Sequence, residues 1–288
     1  GKFGSMVLAQ AQHIKGMHIA AVADLDIEKT KAAFARVGWD TKSCFAASQS
    51  EAIAGGKTWL TQDASALCKF SELDCIFEAS GHPLFGVRHA LQAIENCTHV
   101  VMVNVEADVL CGPYIAQKAA ENNVIYTMAY GDQPAAICEL VDWVHSNGFE
   151  LVSAGKGMNF QPEYRYSTPD TVWGYFGWSE EEVAAGDFNP KMYNSFTDGT
   201  KAAIEMAAVA NATGLDCPDD GLAFYPAGLH DLASVFKPVQ AGGRLAKTGL
   251  VDIAASQEPD GREVVNNIRF GMFVTCLLYT SDAADDTP

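Results

Sequence analysis

The residues best placed to do chemistry lie in an otherwise apolar stretch. Thr200–Thr213 reads T-K-A-A-I-E-M-A-A-V-A-N-A-T and predicts a helix that stops at Gly214. It is apolar almost all round, so burial is expected. Its only charges are Lys201 and Glu205. Asp198 falls one turn earlier on the same side. Charges on a buried helix must be paired or functional; the other reading is an i,i+4 ion pair facing water. A lysine there can polarise a carbonyl or alcohol oxygen or relay its proton. Asp198 and Glu205 would orient that lysine or serve as base. Lys156, in A-G-K-G, is a second candidate for the lysine. Lys191, Asn194 and Ser195, in N-P-K-M-Y-N-S-F, suit a phosphate or carboxylate on the substrate. Each of these upstream residues reads equally well as a solvated loop side chain. The aromatic cluster at 173–178 reads as core before stacking platform.

A second constellation opens the chain. Gly1, Lys2, Phe3 and Gly4 run straight into an Ala/Gln/Val segment that predicts a helix. A glycine turn entering a helix normally follows a strand, so a missing first strand is expected. Gly1 and Gly4 would then be the second half of G-x-G-x-x-G, where glycines admit a pyrophosphate and close helix packing. Asp24 lies twenty positions after Gly4 and ends an apolar run. A carboxylate there bonds a ribose hydroxyl and leans the cofactor towards NAD(H), although a basic neighbour would admit NADP(H). The alternative is a plain glycine turn, with Asp24 capping the helix near Ile27.

The elements that must position these groups follow from the apolar runs. Strands are predicted at 17–23, 73–80, 99–104 and 124–130, and helices at 27–37, 87–96, 113–122 and 134–146. That alternation means βαβ units and a parallel sheet. Ligands of such sheets bind beyond the carboxyl ends of the strands. Those ends read Ser80-Gly81-His82, Asn104-Val105-Glu106 and Gly131-Asp132-Gln133. Ser80, Gly81, Asn104, Glu106, Gly131 and Asp132 are therefore candidates for cofactor contact. The expected fold is α/β: a Rossmann-type doubly wound parallel sheet over 1–148, then an α+β catalytic domain over 149–275. Residues 276–288 read as translated adapter sequence and are set aside. Without its first strand the sheet would lose its centre, and instability is expected.

Composition narrows the partners. The 288 residues carry a net charge of −17, which argues against nucleic acid and anionic membrane surfaces. No apolar run reaches the roughly 20 residues of a membrane span. The eight cysteines form no C-x-x-C pair, which weakens zinc and thiol-redox readings. Scattered cysteines in a chain this long suit a reducing cytoplasm. The partner expected is a small-molecule substrate. The near-apolar helix offers a face to a second copy, so a homo-oligomer is expected.

Several segments together resemble a bacterial family related to homoserine dehydrogenase, often with a SAF-like C-terminal domain. They include G-K-F-G-S-M, V-A-D-L-D, R-V-G-W, H-V-V-M-V-N-V-E-A-D, A-Y-G-D-Q-P-A, S-T-P-D-T-V-W-G-Y, N-S-F-x-D-G-T-K-x-A-I-E and A-N-A-T-G-L. The resemblance implies an NAD(P)-binding Rossmann domain followed by a catalytic domain, with NADP(H) common. Homoserine dehydrogenases carry a lysine after the asparagine of the fifth-strand motif. Here Val105 and then Glu106 follow Asn104, which argues against homoserine oxidation. Some members are 1-deoxy-D-xylulose 5-phosphate reductoisomerase-like; that version would need a divalent ion on oxygens such as those of Asp198 and Glu205. The function expected is hydride transfer between a nicotinamide and a small hydroxy or keto compound, phosphorylated or not. A non-catalytic NAD(P)-binding sensor or scaffold is the alternative.

Overall fold

The computed structural model describes residues 2–186 and 188–278. The expectations for Gly1, for the Lys2 side chain and for the tail at 279–288 lie outside the described residues. The chain divides into two compact units, Gly1–Ala129 and Tyr130–Pro288. The helix predicted at 134–146 belongs to the second.

The first unit alternates helices and strands in chain order: α1 (Lys2–Ala11), β1 (Ala21–Ala23), α2 (Ile27–Arg36), β2 (Phe45–Ala46), α3 (Gln49–Gly55) and β3 (Thr58–Thr61). It continues with α4 (Ala64–Cys68), β4 (Cys75–Glu78), α5 (Pro83–Glu95), β5 (His99–Met102), α6 (Val105–Glu121) and β6 (Tyr126–Met128). All its strand pairs are parallel, in two three-stranded sheets of order β1-β3-β2 and β4-β5-β6. The α/β class read from the sequence is therefore the one adopted. The four predicted strands are present but shorter. β2 and β3 escaped prediction because they are short and only half-buried, without a long apolar run.

Local chemistry explains the helix starts. Asp26 caps α2, its carboxylate accepting the Lys29 N–H at 3.0 Å. Inside that helix, Phe34 is fully buried between the edges of Trp39 and Phe45. The predicted helix at 113–122 begins eight residues earlier, at Val105. Asn104 caps it, accepting the Ala107 N–H at 3.2 Å, and Pro113 lies inside instead of opening it. The cap satisfies an otherwise orphaned N–H, and this sets the start.

The second unit holds α7 (Gln133–Ser146), β7 (Glu150–Met158), α8 (Val172–Phe176), α9 (Glu180–Ala185), α10 (Pro190–Thr197) and α11 (Thr200–Thr213). After them come β8 (Tyr225–Pro226), α12 (Leu232–Val235), β9 (Leu250–Ala255) and β10 (Met272–Leu277). Its sheet has the order β10-β7-β9-β8, with β10 antiparallel to β7 and the rest parallel. β10 runs two residues past Thr275, into the stretch that reads as translated adapter sequence. On one face, α7 and α11 close over Ala154 and Met158 of β7 and Val251 and Ile253 of β9. On the other face, Phe236, Leu245 and Phe273 pack under Leu250 and Ala254.

α11 has the predicted bounds, and Ala202, Glu205, Met206, Ala208 and Val209 are buried. Its apolar surface packs against α7, α10 and β9. This removes the reason to expect a second copy on that helix.

Candidate functional site

β7 places Lys156 between two glycines, and both are required there. A Cβ on Gly155 would stand 2.0 Å from the Asp252 carbonyl oxygen, and one on Gly157 1.7 Å from that of Ile268. The chain therefore crowds backbone on both sides of Lys156 while the lysine points to the face covered by α7 and α11. Far from being a solvated loop residue, Lys156 is only 8% exposed. Its ammonium donates to Glu205 Oε2 of α11 and to Gln133 Oε1 of α7. Lys201, one turn before Glu205, lies 3.5 Å from Glu205 Oε1 and keeps a quarter of its side chain exposed. One carboxylate thus faces two ammonium groups, and the cluster carries a net positive charge. A buried charge left unpaired would be costly. Here every charged member has an opposite partner, and Lys201 reaches solvent.

Asp198 does not join this cluster. Its Oδ1 accepts the N–H and the hydroxyl of Thr200, at 2.8 and 2.7 Å, and its Oδ2 accepts Asn194 Nδ2 at 2.9 Å. It therefore fixes the turn between α10 and α11. Lys201 pairs with Glu205 instead of with Asp198. Asn194 is buried, Ser195 donates to the Met192 carbonyl at 2.7 Å, and Lys191 is exposed on α10. The three do not converge on one point through any described contact. The aromatic cluster surrounds Tyr193, with Trp173, Phe176, Trp178 and Phe188 each within 5.5 Å of its ring. That is self-packing, in keeping with the core reading.

The expected divalent ion finds no donor set. Among the described residues no three His, Cys, Asp or Glu side chains converge. Both Glu205 oxygens face lysines and both Asp198 oxygens accept hydrogen bonds. These residues do not fit a metal ion.

In the first unit the strand ends carry a different network. Glu78 closes β4, nearly fully buried. Its Oε1 lies 3.1 Å from His89 Nδ1 and accepts the Ser80 N–H at 3.3 Å; its Oε2 accepts Asn104 Nδ2 at 3.1 Å. Asn104 Nδ2 also donates to the His82 carbonyl at 3.1 Å. Burial pushes the Glu78 carboxyl up, but the bonds from His89, Ser80 and Asn104 outweigh it and hold it below the ordinary value. The network fixes the loop Ser80-Gly81-His82, in which Gly81 adopts φ +71. α5 follows with no side-chain cap, so amide N–H groups of its first turn are open to an anion. Glu106 stands in the first turn of α6, half-buried.

Gly4 and Phe3 lie in the first turn of α1, with open space where a Gly4 Cβ would stand. Asp24 follows β1, exposed, and accepts the Asp26 N–H at 2.9 Å; Asp26, not Asp24, caps α2. These groups fit the phosphate and ribose of a dinucleotide: the uncapped start of α5 for the anion, and an exposed carboxylate for the hydroxyls. In the second unit Gly131 adopts φ +97 and Asp132 caps α7, accepting the Gln133 N–H at 3.0 Å.

Two residues were missed by sequence reasoning. Gln133 had a signal, a polar side chain opening the predicted helix at a strand end. Glu78 had one too, a carboxylate closing an apolar strand.

The family model for the catalytic domain of oxidoreductase DRL matches residues 131–286, just over half of the chain. The chain belongs to this oxidoreductase family. No curated protein matches it. Among solved structures, 1-deoxy-D-xylulose 5-phosphate reductoisomerase from Zymomonas mobilis, in complex with NADPH, is similar at 15% identity, TM-score 0.48, over 75% of this chain and 56% of that one. A homoserine dehydrogenase from Thiobacillus denitrificans is similar at 21% identity, TM-score 0.44, over 68% of this chain and 41% of that one. The chain spans about half the length of the solved structures it matches. No helix among the described residues is long and apolar enough to cross a membrane.

Proposed function

We propose that the protein transfers a hydride between NAD(P)(H) and the carbonyl or alcohol carbon of a small hydroxy or keto compound, with Lys156 acting on the reacting oxygen. The observation that carries this reading is the Lys156–Glu205–Lys201 cluster, buried beside Gln133. The cofactor would supply or accept the hydride when bound. Glu205 and Gln133 hold two of the Lys156 protons and fix its direction; the third is left for an oxygen of the substrate. Negative charge grows on that oxygen as a carbonyl is reduced, and a fixed ammonium stabilises it there. Lys201, partly exposed on the same carboxylate, is the route by which a proton returns from solvent. Gly4, Asp24, Ser80, Gly81 and the start of α5 would hold the dinucleotide.

The test is NADH and NADPH consumption by the protein with keto acids and keto-sugars, and NAD⁺ and NADP⁺ reduction with hydroxy acids and polyols, with NADPH consumption on 1-deoxyxylulose 5-phosphate as a separate arm. Turnover on any of these that Lys156→Ala abolishes supports the reading. Saturable cofactor binding with no turnover across the panel contradicts it and leaves a sensor or scaffold.

A further inference from the structure

The lysine cluster is tied to a turn far from it in sequence. Gln133 Oε1 accepts a proton of the Lys156 ammonium, and Gln133 Nε2 donates to the Phe270 carbonyl at 3.3 Å. The second bond fixes which end of the amide faces the lysine. Two hydrogen bonds and one amide separate the Lys156 ammonium from the Phe270 carbonyl, roughly 9 Å at most.

The backbone of this turn is held, while its side chains stand free. The Gly271 N–H donates to the Ile268 carbonyl at 2.7 Å, and the Gly157 N–H donates to the Gly271 carbonyl at 2.8 Å. The Arg269 N–H donates to Asn267 Oδ1 at 3.2 Å, and Asn267 Nδ2 donates to the Val264 carbonyl at 3.1 Å. Phe270 is 77% exposed, and the Arg269 guanidinium stands over its ring, 5.2 Å from the centroid. Arg269 is itself exposed. Among the described residues no carboxylate forms an ion pair with it. Tyr164, six residues past the end of β7, lies in the field of its charge.

The charges define the ligand. Lys156, Lys201 and Arg269 set three cations against the one carboxylate of Glu205, in a chain whose net charge is −17. A local excess of this sign draws in an anion. The planar fork of an arginine matches a carboxylate or a phosphate. The anion expected from the sequence at Lys191, Asn194 and Ser195 finds no converging set there, whereas Arg269 adjoins the residue whose carbonyl is bonded to Gln133. We propose that Arg269 is a specificity-determining residue that holds the oxyanion of the substrate, a carboxylate or a phosphate, while the reacting oxygen lies at Lys156. The substrate class is then a keto or hydroxy acid or a sugar phosphate, not a neutral sugar or polyol. The place of the reacting oxygen rests on the hydride-transfer reading; the anion anchor is tested without turnover.

The experiment is isothermal titration of the whole chain, without cofactor, by two pairs of probes. One pair is 2-oxobutanoate and 2-oxobutanamide; the other is xylulose 5-phosphate and xylulose. Arg269→Gln is titrated in parallel. Arg262→Gln, an equal loss of charge at an exposed arginine paired with Asp260, is the control. Saturable binding of at least one anion is expected, about tenfold or more tighter than its neutral partner. Arg269→Gln should erase that advantage, and Arg262→Gln should leave it within about twofold. The pair with the larger difference tells carboxylate from phosphate. Equal binding within both pairs overturns the proposal, as does an equal loss in the two variants. So does the absence of saturable binding of either anion up to roughly 10 mM. Anion binding that depends on Arg269, in a protein that turns over nothing, would keep the anchor and remove the hydride-transfer reading; turnover of an acid or a sugar phosphate that Arg269→Gln leaves unchanged in KM would do the reverse.

Discussion

Glu205 is where the chemistry of single residues is most exposed to test. Glu205→Gln keeps the shape but leaves Lys156 buried without a counter-charge, a loss of about 3–5 kcal/mol for a broken buried pair. Thermal or denaturant unfolding should report it, whereas Lys201→Ala, at a partly exposed position, should cost about 1 kcal/mol or less. Glu78 gives a pH signature. Its carboxyl is held below the ordinary value in the folded protein. Its contribution to stability is therefore present above the unfolded value near 4.5 and is lost as pH falls through the lower folded one. Unfolding followed from pH 7 to pH 3 should show a steeper acid loss in the native protein than in Glu78→Gln. Equal slopes would mean the network with His89 and Asn104 does not hold the charge.

The glycine–lysine–glycine run of β7 shows how an element aims a side chain. Gly157→Ala drives a methyl into the Ile268 carbonyl, and Gly155→Ala drives one into that of Asp252. Neither obstacle is a flexible side-chain tip, so each variant should lose about 1–3 kcal/mol and, with the strand displaced, most turnover. Unfolding and kinetics on the same preparation would test this; a Gly157→Ala protein of native stability and rate would refute it. The elements also divide by legibility. α11 was readable to the residue because its apolar pattern and terminal glycine agree. β7 was not. Its glycines and lysine look like a loop, and only the approach of Asp252 and Ile268, distant in sequence, makes them strand. Lys201 and Glu205 stood out by contrast with their helix. Gln133 joins them only through the fold.

At the scale of the molecule, the alternation of apolar strand runs and helices gave the α/β class, and the family match bears on the second unit. Asp198 shows the limit of spacing: it shares a side with Lys201 in a helical projection, but the backbone turns at Gly199, φ +88, and commits its carboxylate to the Thr200 N–H and hydroxyl. The proposed dinucleotide binding would draw on the first unit. A cofactor present at about 100 times its dissociation constant should stabilise the protein by roughly 2.7 kcal/mol. Asp24→Ala should weaken NADH by about tenfold or more, the worth of a charged hydrogen bond to a ribose hydroxyl. A thermal-shift titration with each nicotinamide reads both effects.

The most direct test of the lysine cluster is the steady-state rate of hydride transfer by Lys156→Ala, beside the cofactor dissociation constant of the same protein. Its kcat/KM is expected to be lower by about 10²–10⁴-fold with the cofactor affinity unchanged. A variant that keeps its rate within a few-fold would contradict it, and would make the buried lysine a structural pair alone.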